Sequence, residues 1–414
     1  MLDIKLIREN PEKVKKGIAA KGTSVDLVDK VLDLDKKWRD QVVVMENLRS
    51  ERNKAVESKN IESGKKIKSE LSLLEPKLDE AKKLLDEALG QLPNLPADDV
   101  PVGKNEKDNV EIKKWGTPRK FDFLPKDHLE LGTKLGILDF ASGSRVSGNN
   151  FYFWLGAGAL LELALVKYAF DVLSKEGFMP IITPDLVRSR FYLGTGYMPK
   201  GNEAQTYTID EEDLGLIATA EITLAGRHAD EVLTEDKLPI KYIGYSHCFR
   251  KEAGAYGKYS KGLYRVHQFT KAEMFIYCTP EESEKYHKHI LDMEEKIYQG
   301  LGLPYRILEM CTGDLGAMAV KKYDIEAWMP GRDDYGEVTS TSNCTDFQAR
   351  NLNIKLKRKN GKMEYIHMLN GTAIATSRTP IAILENYQQE DGSVIIPEIL
   401  RPYMGVDKIE RNDQ

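Results

Sequence analysis

Apolar residues in the first hundred positions fall at steps of three and four. Leu27, Val31, Leu34, Trp38, Met45, Leu48 and Ala55 follow this spacing, with polar Gln41 and Arg52 in the remaining slots. Ile67, Leu71, Leu74, Leu78, Ala81, Leu85, Ala88 and Leu92 then repeat it without a gap. Two such stripes, separated by the polar stretch "SKNIESG", predict an antiparallel α-helical coiled-coil hairpin, because alternating steps keep one seam facing a partner helix. Each arm, at about 28 to 32 residues and 1.5 Å per residue, would run roughly 40 to 48 Å and project well beyond a compact domain. Pro76 lies inside the second arm, where its missing N–H should bend the helix.

The period changes after the prolines at 93, 96 and 101, which mark a linker. The expected organisation is an N-terminal domain over 1–100 and a second domain over 101–414. Residues 121–140 read as a short helix and loop, "NNFYFWLGAG" as a strand, and "LLELALVKYAFDVLSKEG" as an amphipathic helix leading into "FMPIITPDLV". Further strands are expected near 205–222, 240–250, 263–279, 305–311, 323–329 and 365–370, with helices near 281–301 and 373–390. Hairpin strands with helices segregated between them point to an α+β domain, an antiparallel sheet flanked by helices. Neither G-x-G-x-x-G after a strand nor G-x-x-x-x-G-K-[ST] occurs, so a nucleotide would have to be held without those loops.

The densest chemistry lies in residues 245–278. "YSHCFR" and "LYRVHQFTKAEMFIYC" alternate like strands on either side of the turn-rich "EAGAYGKYSKG". A two-residue period puts Arg265, His267 and Phe269 on one face of the second strand, and likewise Lys271, Glu273 and Phe275, while Arg250 and Glu252 share a face of the first. A solvated hairpin or a purely structural ion-pair network is the bland alternative. Yet two arginines, two carboxylates and an imidazole on one half of a sheet are costly to bury without a ligand. A ligand carrying both phosphates and an amine would balance them.

Composition narrows the class. The 414 residues are 41% hydrophobic and 30% charged, ordinary for a soluble globular protein, and no apolar run approaches a signal segment or membrane span. A cytoplasmic protein with no membrane partner is expected. Cys248, Cys278, Cys311 and Cys344 form no C-x-x-C pair, which argues against a disulfide framework or a structural zinc site. The net charge of −5 argues against a generally basic nucleic-acid binder. The outer end of the hairpin departs from that balance: Arg49, Arg52, Lys54, Lys59, Lys65, Lys66 and Lys68 face only four glutamates between 49 and 70. Either this is a solvated helix face or it is a site for a polyanion such as nucleic acid.

Three stretches carry a family resemblance. "GFMPIITP", "CFRKE" with "GLYRVHQFTKAEMF", and "LNGTAIATSRTPIAILENYQ" resemble, in order and spacing, the three signature motifs of class II aminoacyl-tRNA synthetases. With "MLDIKLIRENPEKVK", the coiled-coil arm, "TAE" and "PEILRPYMG", the chain resembles the seryl-tRNA synthetase family along essentially its whole length. That resemblance implies activation of L-serine by ATP and transfer to the 3′ end of tRNA(Ser), with tRNA(Sec) as a second candidate acceptor. It also implies a homodimer, since "GFMPIITPDLV" and the helix before it resemble the motif that pairs across a two-fold axis.

The resemblance also implies roles. Arg250 would hold the α-phosphate and the serine carboxylate, Glu252 would accept from the adenine amino group, and Arg378 would clamp the terminal phosphate; these three are the catalytic candidates. Phe269 would stack under adenine and Arg265 would face the other phosphates, with Lys251, Val338 and Thr339 completing the ATP site. Glu337 and Ser340, in "EVTS", resemble the holders of a Mg²⁺ that bridges the phosphates. For serine, Thr219, Ala220 and Glu221 of "TAE" join Arg250, Glu273, Asn370 and Thr372. Glu273 would take the ammonium and Glu221 and Thr372 would flank the hydroxyl, so that alanine leaves buried polar groups unpaired and threonine is excluded by space. The seven cations of the hairpin tip would bind tRNA. Departures are "ITLAGRH" after "TAE", "EVTS", "TSRTP" with Pro380, and a short arm; they bear on the fine geometry and the reach toward tRNA. A non-catalytic synthetase paralogue and a ligase that loads an amino acid onto a carrier protein are the rival readings.

Overall fold

In the computed structural model, which describes residues 1–197, 206–252 and 261–411, the chain divides into two compact units, Met1–Pro96 and Ala97–Gln414. In the first unit, the two stripes form the helices Asp26–Glu57 and Ile61–Gly90, joined by a short turn. Met45, Ala55, Ile67 and Leu71 are buried between them, with Leu48, Leu74 and Leu78 packed alongside. The second helix runs on through Pro76 without interruption. Two short helices precede the hairpin, Ile4–Glu9 and Pro11–Ala20, which periodicity did not anticipate because each is only a few turns or less. They bury Ile7, Val14 and Ile18. Arg8 and Arg39 close on the buried Asp35, at 2.5 and 2.9 Å; burial pushes that carboxyl up, but the two guanidinium groups outweigh it and hold it below the usual range.

The second unit is built on an eight-stranded sheet: β1 Val110–Trp115, β2 Met179–Ile182, β3 Ile240–Phe249, β4 Gln268–Cys278, β5 Tyr305–Glu309, β6 Lys321–Met329, β7 Asp334–Asn343 and β8 His367–Ala375. Their spatial order is β1-β5-β6-β7-β8-β4-β3-β2. Every pairing is antiparallel except β2 with β3, so the expected antiparallel sheet is in fact mixed at one edge. The helices Ala157–Lys175 and Ser283–Gly300 cover one face, burying Ala272, Met274 and Ile276 of β4 and Leu369 and Ile374 of β8. The opposite face carries the site.

Several elements differ from the sequence reading. β7 was not anticipated, because its buried positions are Gly336, Val338, Thr339, Thr341 and Asn343, which show no apolar alternation. β8 begins where a strand was expected, near 365–370, but runs on to Ala375, into positions expected to open a helix; it is buried on both faces, and a short apolar run does not distinguish strand from helix. The helix begins only at Arg378 and ends at Tyr387, with Pro380 in its first turn, where a missing N–H is harmless. "ITLAGRH" is mostly helix, Ala220–Gly226, capped by Thr219, and not the strand expected up to 222. Leu224 of that helix packs at Gly244, where a Cβ would lie 2.8 Å from its Cδ1.

Candidate active site

A cavity of about 300 Å³ lies on that opposite face, across β4, β7 and β8. One end gathers carboxylates. A bulge after Ala272 sets Glu273 directly opposite Thr372, and Thr372 Oγ1 donates to Glu273 Oε2 at 3.2 Å. Lys271 Nζ is 2.6 Å from Glu273 Oε2 and 3.4 Å from Thr372 Oγ1. Glu221 accepts from the Tyr197 hydroxyl at 3.1 Å and from Gln348 Nε2 at 2.7 Å. Burial, and then the charge of Glu273, push its carboxyl up to about 7, against partial relief from Gln348, Lys271 and Tyr197. Asn370 lines the same end beside Cys344, its Nδ2 donating to Sγ at 3.8 Å.

The other end gathers guanidinium groups. Arg250 donates from Nε to the Ala218 carbonyl at 3.2 Å and lies 5.2 Å from the centre of the Phe269 ring. Arg265 pairs with Glu252, whose φ of +48° is a left-handed conformation unusual for a side-chain-bearing residue. Arg378 Nη1 is 3.0 Å from Glu337 Oε1, and its guanidinium lies 4.8 Å from the centre of the Tyr264 ring. The Tyr264 hydroxyl accepts from the Glu337 N–H at 3.1 Å, and its carbonyl accepts from Arg378 Nε at 3.4 Å. Burial alone would raise the Glu337 carboxyl, but Arg378 and Lys322 outweigh it and hold the group ionised, at about 2. Asp324, opposite Ser340 on β6, is pushed the other way by burial and by Glu337. A second cavity of about 520 Å³ shares Tyr264, Arg265, Glu337 and Arg378 with the first.

Of the candidates named from sequence, Glu221, Arg250, Glu252, Arg265, Phe269, Glu273, Glu337, Val338, Thr339, Ser340, Asn370, Thr372 and Arg378 line this cavity. Thr219, Ala220 and Lys251 lie outside the lining. Thr219 accepts from the Glu221 N–H at 3.2 Å and so aims that glutamate; Lys251 lies over Tyr207, 5.6 Å from its ring centre. His267 leaves the face proposed for it, whereas Phe275 keeps the face of Lys271 and Glu273 but lies outside the cavity lining. β4 begins only at Gln268, so His267 turns to donate from Nδ1 to the Arg250 carbonyl, and Phe275 is buried in a separate apolar cluster with Tyr277. Lys271, Tyr264, Tyr197 and Lys322 line the cavity without having been assigned a role, and Gln348, outside the lining, bonds Glu221. Lys271 was within reach of sequence reasoning, since it shares the strand face of Glu273. In the first unit, Arg49, Arg52, Lys54, Lys59, Lys65, Lys66 and Lys68 are all exposed around the helical turn.

A mostly antiparallel sheet that presents an arginine and glutamate from one hairpin, and a further arginine from the helix after its central strand, defines the core of a class II aminoacyl-tRNA synthetase. Residues 206–387 match the tRNA synthetase class II core domain (G, H, P, S and T), and residues 1–96 match the seryl-tRNA synthetase N-terminal domain. A serine–tRNA ligase of Dictyoglomus turgidum is 53% identical over 99% of both chains. Among solved structures, the seryl-tRNA synthetase of Pyrococcus horikoshii complexed with ATP superposes with a TM-score of 0.92 at 44% identity, covering all of both chains. The cytoplasmic serine–tRNA ligase of Naegleria fowleri in complex with AMP gives 0.88 at 37% identity over 100% of this chain and 99% of that one. The chain belongs to the seryl-tRNA synthetase family.

Proposed function

We propose that this chain activates L-serine with ATP and transfers the seryl group to the 3′ end of tRNA(Ser), as a cytoplasmic homodimer. The observation that carries the reading is the polarity of one cavity, with Glu221, Glu273 and Thr372 at one end and Arg250, Arg265 and Arg378 at the other. The carboxylates suit an ammonium and a hydroxyl; the guanidinium groups suit phosphates. In the first step a serine carboxylate oxygen forms a bond to the α-phosphorus and the bond to the departing pyrophosphate breaks. In the second, the terminal ribose hydroxyl of tRNA attacks the seryl carbonyl, AMP leaves, and the hydroxyl proton is lost. Positioning and preorganised charge carry such chemistry. Arg250, between Phe269 and the carboxylate end, is set to hold the reacting phosphate and the serine carboxylate together, while Phe269 supplies a face for adenine and Glu252 an acceptor for its amino group. Thr219 and Ala220 act by presenting Glu221.

Glu337 and Ser340 offer two oxygen donors on β7, one of them held ionised, which fits a Mg²⁺ that arrives with the nucleotide. Such an ion would neutralise phosphate charge. The exposed cations around the helical turn of the first unit support its reading as a tRNA-binding domain, with 101–414 as the catalytic domain. The match of residues 1–96 to a family-specific domain speaks against a carrier-protein ligase. Four buried thiols, none in a disulfide, suit a reducing compartment, and no described helix is long and apolar enough to cross a membrane. Leu160 and Leu163 on the helix Ala157–Lys175, with Met179 and Ile182 on β2, are exposed apolar residues on the elements expected to pair in a dimer.

Serine-dependent pyrophosphate exchange, followed by charging of purified tRNA(Ser), tests the reading, with tRNA(Sec) as a second acceptor in the same assay. Absence of exchange would leave the non-catalytic reading, and exchange without charging the carrier-protein one.

A further inference from the structure

His128 and Glu385 form a buried pair outside the cavity lining, and their side chains are 0% and 1% exposed. Glu385 belongs to the helix that Arg378 opens. It accepts from the His128 backbone N–H at 2.9 Å, from His128 Nδ1 at 2.9 Å and from the Gly331 N–H at 2.8 Å. His128 Nε2 accepts from the Leu263 backbone N–H at 3.2 Å. A backbone N–H can only donate, so Nε2 carries the lone pair and the ring hydrogen sits on Nδ1, facing Glu385. One tautomer satisfies every partner.

Two glycines let the backbone close on the pair. Gly262 has φ +58°, and a Cβ there would lie 2.4 Å from His128 Nε2; a Cβ on Gly331 would lie 2.9 Å from Glu385 Oε2 and 2.7 Å from Asp127 Cα. The braced segments continue directly into the phosphate end of the site. Leu263 precedes Tyr264, which holds Arg378 through its carbonyl and the Glu337 amide through its hydroxyl. Gly331 precedes Arg332, whose guanidinium lies 5.6 Å from the Tyr264 ring centre, while that of Arg378 lies 4.8 Å from it.

We propose that His128 and Glu385 are positioning residues for ATP: the bond from Leu263 N–H to His128 Nε2 fixes Tyr264, and Tyr264 fixes Arg378 and Glu337. The inference rests on the proposed nucleotide role of that end of the cavity. A purely apolar pair could fill the same volume, as buried ion pairs often permit; what it could not do is hold two backbone amides at set positions. Loss of the Nε2 acceptor leaves the Leu263 amide buried and unpaired, and the turn that carries Tyr264 shifts to find a partner. Displacements of an ångström or less at such a distance from the chemistry are enough to cost about tenfold or more.

The test separates the two ring nitrogens. An Asn side chain places its amide near Nδ1 and a Gln side chain places its amide near Nε2. His128→Asn therefore keeps the link to Glu385 and loses the acceptor for Leu263, whereas His128→Gln restores that acceptor. Pyrophosphate exchange is measured with each, per active site titrated by adenylate formation, together with Tm. The expected result is a KM for ATP raised about tenfold in His128→Asn, with the KM for serine nearly unchanged, and a KM for ATP close to wild type in His128→Gln. Lowered Tm in both variants with wild-type KM for ATP and kcat would overturn the proposal and leave a merely structural pair. A parallel rise in both KM values would overturn it too. Should His128→Asn fail to fold, Glu385→Gln, isosteric but a weaker acceptor, takes its place: a raised KM for ATP alone supports the bracing, and unchanged kinetics overturn it. If the wild-type protein shows no serine-dependent exchange, the proposed function itself falls, and the inference with it.

Discussion

Glu221→Gln should remove a loss of stability that the wild-type protein suffers as pH rises through 7, while abolishing serine activation. The carboxyl is buried, and with Glu273 beside it titrates at about 7, against 4.5 for an unperturbed glutamate. That difference corresponds to about 3 kcal/mol held against the ionised form. Because the folded pKa is raised, the favourable contribution is fully present below about 4.5 and is lost as pH rises through 7. A glutamine cannot ionise and shows no such loss. The Tyr197 and Gln348 hydrogen bonds are altered in the variant at every pH, which adds a constant offset. The slope therefore carries the argument. Thermal melts at pH 5 and pH 8.5, at equal protein concentration, should show the Tm difference, variant minus wild type, becoming more positive by a few degrees at the higher pH. A difference that stays flat across this range, or moves toward the wild type, would refute the claim that Glu221 is strained by burial and by Glu273. Pyrophosphate exchange by the same variant should be lost, since glutamine offers one acceptor oxygen where Glu221 offers two, and Tyr197 and Gln348 already draw on both.

Arg250→Ala should lower pyrophosphate exchange on the order of 10²- to 10³-fold with an unchanged melting profile, as removal of one preorganised donor does; near-normal exchange would sink its assignment. Deleting residues 30–90 and joining the ends should spare serine-dependent exchange but greatly weaken tRNA charging, and charging equal to that of the intact chain would reduce the hairpin to a strut. Charging by the intact chain should fall with salt through Arg49, Arg52, Lys54, Lys59, Lys65, Lys66 and Lys68, and should be indifferent to the anticodon, as expected for recognition of helical RNA by shape and backbone. Sedimentation at micromolar concentration should give a dimer; a lone monomer would count against pairing through the exposed leucines of the helix Ala157–Lys175.

The long helices were legible because a 3-4 repeat sustained over eight apolar positions has one structural meaning. The site was legible only where residue types cluster in sequence. Arg250, Glu252, Arg265, Phe269 and Glu273 lie within one hairpin, so period-two alternation was enough to group most of them. It failed at His267, since the strand starts one residue later. Gln348 and Tyr197 reach Glu221 from 127 and 24 positions away along the chain, and no local pattern announces such partners. Tyr264 was hidden for a different reason: its role lies in its carbonyl and hydroxyl, which hold other groups, and not in the charge that draws attention to its neighbour Arg265.

The bulge after Ala272 has a counterpart one strand over. On β8 the pairing skips Ala373, and on β7 it skips Val338 in the same way. Both skipped residues are small, apolar and buried in the core. Each extra residue bends its strand and tightens the local twist, and the two adjacent strands so affected carry Thr372 and Glu337 at opposite ends of the cavity. In both strands the pairing resumes with every side chain on its own face, so deleting Ala373 or Val338 would keep each functional group on the correct side of the sheet while flattening the floor beneath it. Curvature and residue identity are thus separable by single-residue deletion. The trough that spaces the amino-acid end from the phosphate end is written in two insertions, and not in the charged side chains that line it.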